Sequence, residues 1–185
     1  MPDDKSGKKI SVADAMESWG PVAFEALVDT AKTYNAYITY KDLTDLVQAT
    51  TGITYGALVP NWVGNVLAYV LNRARREGLP PLTSLCVSAE GTVGPGYAEV
   101  LRAYGRPLPH GNDGLDDQAA IDRLACYRYY GAELPPGGGE PSLTPKAKAA
   151  RDWKKAVAKE AGPPKVCPTH FVTLPVTGIC DDCEN

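Results

Sequence analysis

Four potential metal ligands near the C-terminus constrain the fold of this chain more than any other feature. Cys167 and His170 are separated by two residues, as are Cys180 and Cys183, and nine residues lie between the two pairs. Two pairs with this spacing can turn onto one tetrahedral ion, with Thr173–Gly178 as a connecting hairpin. Four protein ligands close the coordination sphere, so the sequence predicts a structural Zn²⁺ site of the zinc-knuckle type.

So short a tail cannot bury a hydrophobic core, and metal binding is expected to supply its folding free energy. For isolated zinc-finger peptides this free energy is on the order of 10–16 kcal/mol. A disulfide in an exported protein is the alternative use of these cysteines. The polar N-terminus lacks the apolar stretch of a secretion signal. The sequence also contains no run of eighteen apolar residues, which a membrane-spanning helix would need. The expected location is therefore the reducing cytoplasm, and Cys86 and Cys126, among apolar neighbours, are predicted core residues.

Charge is distributed unevenly along the chain. Residues 10–145 carry nine Lys and Arg against fifteen Asp and Glu, a net charge of −6, whereas residues 146–165 carry seven against two, a net charge of +5. A basic helix beside an acidic body permits nucleic-acid contact without requiring it. The cations of this helix that would contact phosphates are Lys146, Lys148, Arg151, Lys154, Lys155 and Lys159. The alternative is a solvated surface helix that docks through Trp153 and Val157.

Composition divides the chain into five segments. The first is polar and is expected to be disordered, the second is a mainly helical core, and the third is rich in Pro and Gly and is predicted to be a linker. The basic helix and the zinc knuckle follow. The predicted bounds, in chain order, are residues 1–10, 11–134, 135–145, 146–164 and 165–185.

Capping signals place the helices of the core. Ser11 and Thr39 are predicted to be the N-cap residues of two helices, because their hydroxyls can accept the first free N–H groups. Gly20 and Pro21 are predicted to end the first helix and to begin another, since proline suits a first turn. Asn61 is predicted to cap a longer helix, which ends in three arginines, as is usual for a helix C-terminus.

The order of the predicted elements indicates a winged helix-turn-helix. After the long helix, Leu82–Ser88 is predicted to be a strand, and Thr92 and Val93 the start of a return strand after a turn. Residues 22–105 thus follow the order of a winged helix, in which the third helix enters a major groove and the wing touches phosphates. The predicted fold is α+β and mostly helical, with a basic helix and a small zinc-binding tail appended. A generic α+β core that binds nothing is the alternative.

Four short segments carry a resemblance to a known family. They are Ile38–Leu43, Val63–Leu67, Pro80–Gly91 and Gly94–Tyr97, in that order. They resemble the DNA-binding domain of the O6-alkylguanine-DNA alkyltransferases and the alkyltransferase-like proteins, over fewer than half of the residues. That family has a helix starting with tyrosine, a recognition helix, a Pro-Cys-His-Arg-Val strand and a Gly-rich wing. The resemblance implies that Tyr40 corresponds to the tyrosine that contacts a phosphate.

The chain departs from the family at the residues that carry its chemistry. Leu82–Leu85 stands in place of the Pro-Cys-His-Arg segment, and Cys86 lies three residues too late to replace the nucleophile. Asn61 stands where the family has the arginine that fills the gap left by a flipped base. Alkyl transfer requires an activated thiolate, and no His or Lys beside a cysteine provides one here. The resemblance therefore implies shared architecture and DNA binding without alkyl transfer.

These observations predict a non-enzymatic nucleic-acid-binding accessory or regulatory protein, with duplex DNA as the expected partner. No signature indicates a small-molecule substrate or a nucleotide cofactor, and no set of residues forms a complete catalytic constellation. The alternative is an adaptor or inhibitor of a larger complex that docks through the core or the zinc knuckle, because the acidic body would repel a phosphate backbone. Outside the basic helix, the predicted nucleic-acid contacts are Tyr40, Asn61, Asn65, Asn72, Arg73, Arg75 and Arg76.

Overall fold

The computed structural model describes residues 1–161, 166–174, 178 and 180–183 of the 185-residue chain. Over this part of the chain the protein is mostly helical with one small sheet, which confirms the predicted class in its coarse form. The α-helices are α1 (Val12–Ala31), α2 (Tyr40–Thr51), α3 (Val63–Arg76), α4 (Tyr97–Ala103), α5 (Gly111–Tyr129) and α6 (Pro145–Ala161). None of these helices is both long enough and apolar enough to cross a membrane.

The remaining regular structure consists of short elements. Two-residue strands β1 (Ile38–Thr39) and β2 (Cys86–Val87) pair in parallel, with Ile38 opposite Cys86. Short 3₁₀ helices span Val59–Asn61, Leu82–Leu85 and Asp181–Cys183. The chain divides into two compact units, which are Met1–Ala147 and Lys148–Asn185.

Helix α1 begins at its predicted cap but does not end where the sequence indicated. The Ser11 hydroxyl accepts the N–H of Asp14, and the Asp14 carboxylate accepts the N–H of Ser11, which forms a capping box. The helix then continues through Gly20 and Pro21 without a break, so the predicted interruption is wrong. Proline removes the N–H that would bond the carbonyl four residues earlier. That residue, Glu17, lies on the exposed side of α1, where water can satisfy the carbonyl.

The centre of the first unit is an aromatic cluster between α1 and the start of α3. Trp19 is 0% exposed and Trp62 is 2% exposed, and their ring centroids lie 4.6 Å apart. The indole N–H of Trp19 donates to the carbonyl of Ile53 at 3.2 Å, and the ring of Tyr55 packs beside both indoles. Each tryptophan removes roughly 150–250 Å² from water, so this cluster holds α1 and α3 together.

The start of α3 corrects one predicted cap, while the start of α2 confirms another. Thr39 accepts the N–H of Asp42 through its hydroxyl at 3.1 Å, as expected for an N-cap. Asn61 belongs to the 3₁₀ helix Val59–Asn61, and Trp62 occupies the N-cap position of α3 without a side-chain hydrogen bond. The prediction that Asn61 caps α3 is therefore wrong. Burial of the Trp62 indole fixes this end of the helix instead.

The predicted strand–turn–strand wing is not formed as the sequence indicated. Leu82–Leu85 is a buried 3₁₀ helix that packs against α1, α3 and α5, and only Cys86 and Val87 are extended. A tight turn follows, but Val93 does not begin a return strand. Its N–H donates to the Asp116 carboxylate at 2.9 Å, and its carbonyl accepts the Tyr40 hydroxyl at 2.7 Å. Side chains therefore take both backbone groups that a strand partner would need.

The predicted disordered N-terminus and the predicted linker both form hydrogen bonds within the first unit. Asp3 exchanges backbone hydrogen bonds with Thr54, at 2.8 and 2.9 Å, so the structure places residues 1–10 against the core rather than free of it. In the Pro/Gly-rich stretch, the Arg128 guanidinium donates to the carbonyl of Gly138 at 2.9 Å, and Tyr34 donates to the carbonyl of Glu140. These hydrogen bonds hold the Pro/Gly-rich stretch against helix α5 and the loop that follows α1.

Helices α1 and α3 approach each other closely because position 20 is a glycine. A Cβ built on Gly20 would lie 2.5 Å from the ring of Tyr69, closer than two carbon atoms can approach. We expect Gly20→Ala to destabilise the protein by about 1–3 kcal/mol, the usual cost of overpacking. Thermal unfolding followed by circular dichroism measures this loss.

Gly64 provides the matched control within α3, because a Cβ added there would meet no atom of the described residues within 4 Å. We expect Gly64→Ala to leave stability unchanged or to raise it by up to about 1 kcal/mol, from the better helix propensity of alanine. Equal unfolding temperatures for the two variants would contradict the packing described for Gly20.

Candidate metal centre and nucleic-acid interface

The four ligands predicted from sequence come together in the second unit. The thiol sulfurs of Cys167, Cys180 and Cys183 and a ring nitrogen of His170 all lie within 4.8 Å of one another. His170 Nδ1 is 3.8 Å from the sulfur of Cys167, 3.6 Å from that of Cys180 and 3.3 Å from that of Cys183. The sulfurs of Cys167 and Cys183 are 3.6 Å apart. This cluster can hold a metal ion.

The spacing between these atoms is compatible with a tetrahedral site. Zinc bonds of about 2.3 Å to sulfur and about 2.0–2.1 Å to nitrogen, at tetrahedral angles, place two sulfurs roughly 3.8 Å apart. The same geometry places sulfur and nitrogen roughly 3.6 Å apart. The observed separations of 3.3–3.8 Å therefore fit one ion held by all four side chains. Three sulfurs and one nitrogen form a donor set compatible with Zn²⁺.

Local backbone structure brings each pair of ligands into position. Val166 and Thr173 form an antiparallel bridge, and the N–H of Cys167 donates to the carbonyl of Val172 at 2.9 Å. The N–H of Phe171 donates back to the carbonyl of Cys167 at 2.9 Å, which closes the turn that carries His170. The second pair lies on the 3₁₀ helix Asp181–Cys183 and the residue before it. Part of the predicted hairpin Thr173–Gly178 lies outside the described residues.

Hydrogen bonds to sulfur prepare Cys167 to act as a ligand. The backbone N–H groups of His170 and Thr169 lower the pKa of the Cys167 thiol to about 6, because donors stabilise the thiolate. A shared hydrogen bond with Cys167 raises the pKa of Cys183 to about 11. Of these two thiols, Cys167 is therefore the one that ionises more readily, and a bound metal ion would displace the proton of Cys183.

The two remaining cysteines lie in the core of the first unit, as predicted. Cys86 is 1% exposed and Cys126 is 0% exposed. Burial raises the pKa of the Cys86 thiol far above its usual value and that of Cys126 to about 12. Neither thiol is placed to act as a nucleophile, because a reactive cysteine needs access to solvent and a lowered pKa.

Helix α3 exposes most of the residues assigned to groove contact. Asn65 and Asn72 are exposed and seven residues apart, so they lie along one side of the helix, and Asn61 is exposed in the 3₁₀ helix just before it. Arg75 and Arg76 are also exposed, at its C-terminal end. Helix α3 carries three arginines and no acidic residue. This polar face differs in charge from the acidic surface of the first unit as a whole.

Arg73 and Tyr40, which were predicted to contact phosphates, interact with other residues of the first unit. The Arg73 guanidinium lies 3.7 Å above the ring of Phe24, and its Nε donates to Glu77 at 2.9 Å. The Tyr40 hydroxyl donates to the carbonyl of Val93, and burial raises the pKa of Tyr40 well above its usual value. Both side chains hold elements of the first unit in place.

The start of helix α6 belongs to the first unit, which ends at Ala147. Thr144 accepts the N–H of Ala147 through its hydroxyl and donates to the carbonyl of Gly91 at 2.8 Å. Lys146 donates to the carbonyl of Ala89 at 2.8 Å. Farther along, Lys148 pairs with Asp152 at 3.0 Å.

The rest of α6 is exposed on both its basic and its apolar sides. Lys154, Lys155 and Lys159 are exposed to solvent, and Arg151 is half-buried. Trp153 is 70% exposed and Val157 is 45% exposed. The helix therefore presents cations for an anionic partner and, on another side, apolar surface for a docking partner.

Sequence reasoning missed three buried charged residues of α5. Asp116 accepts the N–H of Val93, Asp122 pairs with the Arg106 guanidinium at 2.5 Å, and Arg123 is 4% exposed. Asp122 and Arg123 are spaced from the neighbouring apolar residues of α5 by the helical period. This spacing could have predicted from the sequence that both lie on the inward face of the helix.

Comparison with known proteins identified no relative. No protein-family model, no curated protein and no solved structure matches this chain. The resemblance to alkyltransferase-like proteins therefore stays a prediction that depends on the four short segments quoted above.

The cluster geometry predicts the effect of removing one ligand. Cys183→Ser is expected to reduce bound metal to less than about a tenth of that in the wild type, because three remaining ligands leave the coordination open. Asp182→Asn is the matched control, since Asp182 is an exposed neighbour on the same 3₁₀ helix. Metal content is measured by elemental analysis of protein purified without added chelator.

Removal of the metal tests whether the second unit unfolds independently of the first. Chelation is expected to increase amide hydrogen exchange across residues 166–183 and to leave exchange in α1 and α3 unchanged. Wild-type protein that holds no metal, or equal metal in both variants, would contradict the site.

Proposed function

We propose that this protein is a non-enzymatic, duplex-DNA-binding accessory or regulatory protein whose C-terminal cluster is a structural zinc site. The observation that carries the proposal is the exposed face of α3, which presents Asn65 and Asn72 with Arg75 and Arg76 beside them, and which follows the exposed Asn61. Asparagine can read adenine through two hydrogen bonds in the major groove, and arginine can contact guanine or phosphate.

The packing of α3 supports its role as a recognition helix. Val63, Val66, Val70 and Ala74 face the core and are buried. The opposite face is free of acidic residues, and its small side chains at Gly64 and Ala68 would allow a groove to approach the helix closely. A rigid helix of 14 residues extends about 21 Å at 1.5 Å per residue, which is enough to cross a major groove.

Helix α6 supplies the sequence-independent part of the proposed binding. Its exposed lysines would contact phosphates and release counterions, which makes affinity fall as salt rises. The negative charge of the first unit opposes this attraction, but two of its fifteen acidic residues between positions 10 and 145 are buried and hydrogen-bonded. Asp116 and Asp122 therefore add less to the field at the surface than the net charge indicates.

Zinc is the proposed metal because of the ligand set. Three thiolates and one imidazole at tetrahedral spacing suit Zn²⁺, which binds such sets without redox chemistry. Cys167, His170, Cys180 and Cys183 would fill all four positions, so the ion would hold the second unit folded and would not contact a substrate. Elemental analysis is expected to give one zinc per chain.

Protein docking is the second candidate function, and exposed apolar side chains favour it. Trp153 is 70% exposed and Phe171 is 81% exposed, and both lie in the second unit. Aromatic residues are enriched at the centres of protein interfaces. In this alternative the protein would be an adaptor or an inhibitor of a larger complex.

Asparagine substitutions on α3 test sequence-specific readout. Once a preferred duplex has been selected from a random pool, we expect Asn65→Ala combined with Asn72→Ala to weaken binding to it about 10- to 100-fold. The slope of affinity against salt should stay unchanged, because asparagine neutralises no phosphate. Fluorescence anisotropy measures both quantities.

Asn112→Ala is the matched control, since Asn112 is an exposed asparagine on α5 rather than α3. Equal losses in the two variants, or no loss in either, would count against α3 as the recognition helix. Thermal unfolding should be the same as in the wild type for both variants, because exposed side chains contribute little to stability.

Charge reversal on α6 tests the phosphate contacts. Lys154→Glu combined with Lys155→Glu is expected to weaken binding to duplex DNA. The slope of log affinity against log salt concentration should become about 2 less negative, because each phosphate contact contributes about −0.9 to that slope. Titration at two salt concentrations with duplex DNA, single-stranded DNA and RNA measures the slope and the preferred nucleic acid.

The control for this experiment changes the same charge elsewhere. Lys5→Glu combined with Lys8→Glu alters two exposed lysines in the first unit and should leave the slope as in the wild type. If the unmodified protein binds none of the three nucleic acids at low salt, the nucleic-acid proposal fails. A specific protein partner whose binding requires Trp153 would then support the docking alternative.

A further inference from the structure

A cavity in the first unit is lined by a buried cation that the proposed function does not use. Its volume is about 170 Å³, below the roughly 300–1,000 Å³ of pockets that hold drug-sized ligands. We call it the Arg123 cavity, after the buried residue in its wall. The residues that line it are Asn35, Tyr37, Arg123, Tyr127, Ser142, Leu143, Thr144 and Pro145.

The charged group in this wall is almost completely removed from water. Arg123 is 4% exposed and lies on the inward side of α5. Its Nη1 donates to the carbonyl of Ser84 at 3.1 Å, and its Nη2 donates to the carbonyl of Ser142 at 3.1 Å. A guanidinium has five N–H donors, so these two hydrogen bonds use a minority of them, and both acceptors are neutral.

The two carboxylates that act electrostatically on Arg123 have other partners. Asp122 forms an ion pair with Arg106 at 2.5 Å, and Asp116 accepts the N–H of Val93 at 2.9 Å. Both attract Arg123 electrostatically, yet burial still lowers the pKa of Arg123 below its usual value. Among the described residues that line the cavity, none is acidic. Buried charges are usually paired, so an anion from solvent would suit this wall.

Neutral donors complete the cavity. The Ser142 hydroxyl donates to the side-chain oxygen of Asn35 at 2.7 Å, which fixes the Asn35 amide and leaves its NH₂ group as a donor. Asn35 itself has a left-handed backbone, with φ of 63°. Tyr37 and Ser142 are exposed, so the cavity opens to solvent and a small molecule can enter.

We propose that the Arg123 cavity binds a small oxyanion, a phosphate or carboxylate group, with the Arg123 guanidinium as its counter-charge and the Asn35 amide as a neutral donor. Arginine pairs with such groups through two parallel N–H···O hydrogen bonds. The inference does not depend on nucleic-acid binding, because no residue of the cavity belongs to α3 or to the part of α6 beyond Pro145.

The competing explanation is that Arg123 only links three segments of the first unit. Its hydrogen bonds do join α5 to the 3₁₀ helix Leu82–Leu85 and to the segment before α6. In either case the loss of Arg123 would reduce stability. The two explanations are distinguished by adding anions, since stability rises with anion concentration only if the anion binds the folded protein.

The experiment follows the unfolding temperature of the full-length zinc-loaded protein in phosphate, sulfate and acetate, with chloride at matched ionic strength as the reference. We expect a saturable rise in unfolding temperature with phosphate or with acetate, and none with chloride. A response to phosphate and sulfate alone indicates a tetrahedral anion, and a response to acetate alone indicates a carboxylate. No saturable response to any of the three would overturn the proposal.

Two arginine variants separate a specific site from general charge effects. Arg123→Lys is expected to weaken anion binding at least about tenfold, since lysine lacks the planar fork of donors. Arg128→Lys is the matched control, because Arg128 lies on the same helix and also donates to carbonyls of the Pro/Gly-rich segment, but does not line the cavity. Equal anion responses in both variants would overturn the assignment.

A measurement on the wild type covers the case in which Arg123→Lys does not fold. In a phosphate or acetate titration followed by NMR, the side-chain amide of Asn35 and the Nε–H of Arg123 should shift together and saturate. Shifts confined to the exposed lysines of α6 would show an adventitious surface interaction and would overturn the proposal.

Discussion

The unbroken course of α1 through Pro21 is the constraint on which the first unit depends. One continuous helix carries Trp19 against Trp62 and, two turns later, Leu27 into the same core. It contacts α2, α3, α5 and the 3₁₀ helix Leu82–Leu85, so a break at Gly20 would separate elements that now share one core. The missing side chain at Gly20 allows the Tyr69 ring to lie against the helix backbone. Gly20, which together with Pro21 was predicted to end the helix, is thus the position at which α1 packs against Tyr69 of α3.

Polar side chains decide the structure where backbone pairing would otherwise be expected. Val93 gives its N–H to Asp116 and its carbonyl to Tyr40, so the turn after β2 is tied to α5 and α2 rather than to a second strand. These hydrogen bonds explain why Tyr40 is better described as part of the architecture than as a free phosphate contact. They also show how a chain with the order of a winged helix can lack its second wing strand over the described residues.

The two units are stabilised by different means. The first unit buries aromatic and aliphatic side chains and adds charged groups on the inward face of α5, each with hydrogen-bond partners. The second unit brings three thiols and an imidazole to within 4.8 Å of one another. Such a cluster would be costly without an ion, because thiolates at this distance repel each other, and a bound cation removes that cost. Metal binding and folding of the second unit are thus expected to be one process.

The sequence by itself determined the features that depend on short-range chemistry. Ser11 and Thr39 cap helices because their hydroxyls reach N–H groups within three residues, and the x2 spacing of Cys167 and His170 lets one turn present both ligands. Only the tertiary structure decided the features that depend on distant partners. Pro21 stays within a helix at a place where Glu17, whose carbonyl it leaves unpaired, is an exposed residue, and Arg123 is buried where carbonyls distant in sequence accept its N–H groups. Local patterns fixed the caps at Ser11 and Thr39 and the ligand pairs, whereas the start of α3, the burial of a charge and the tolerance of a proline depend on which residues the fold brings alongside.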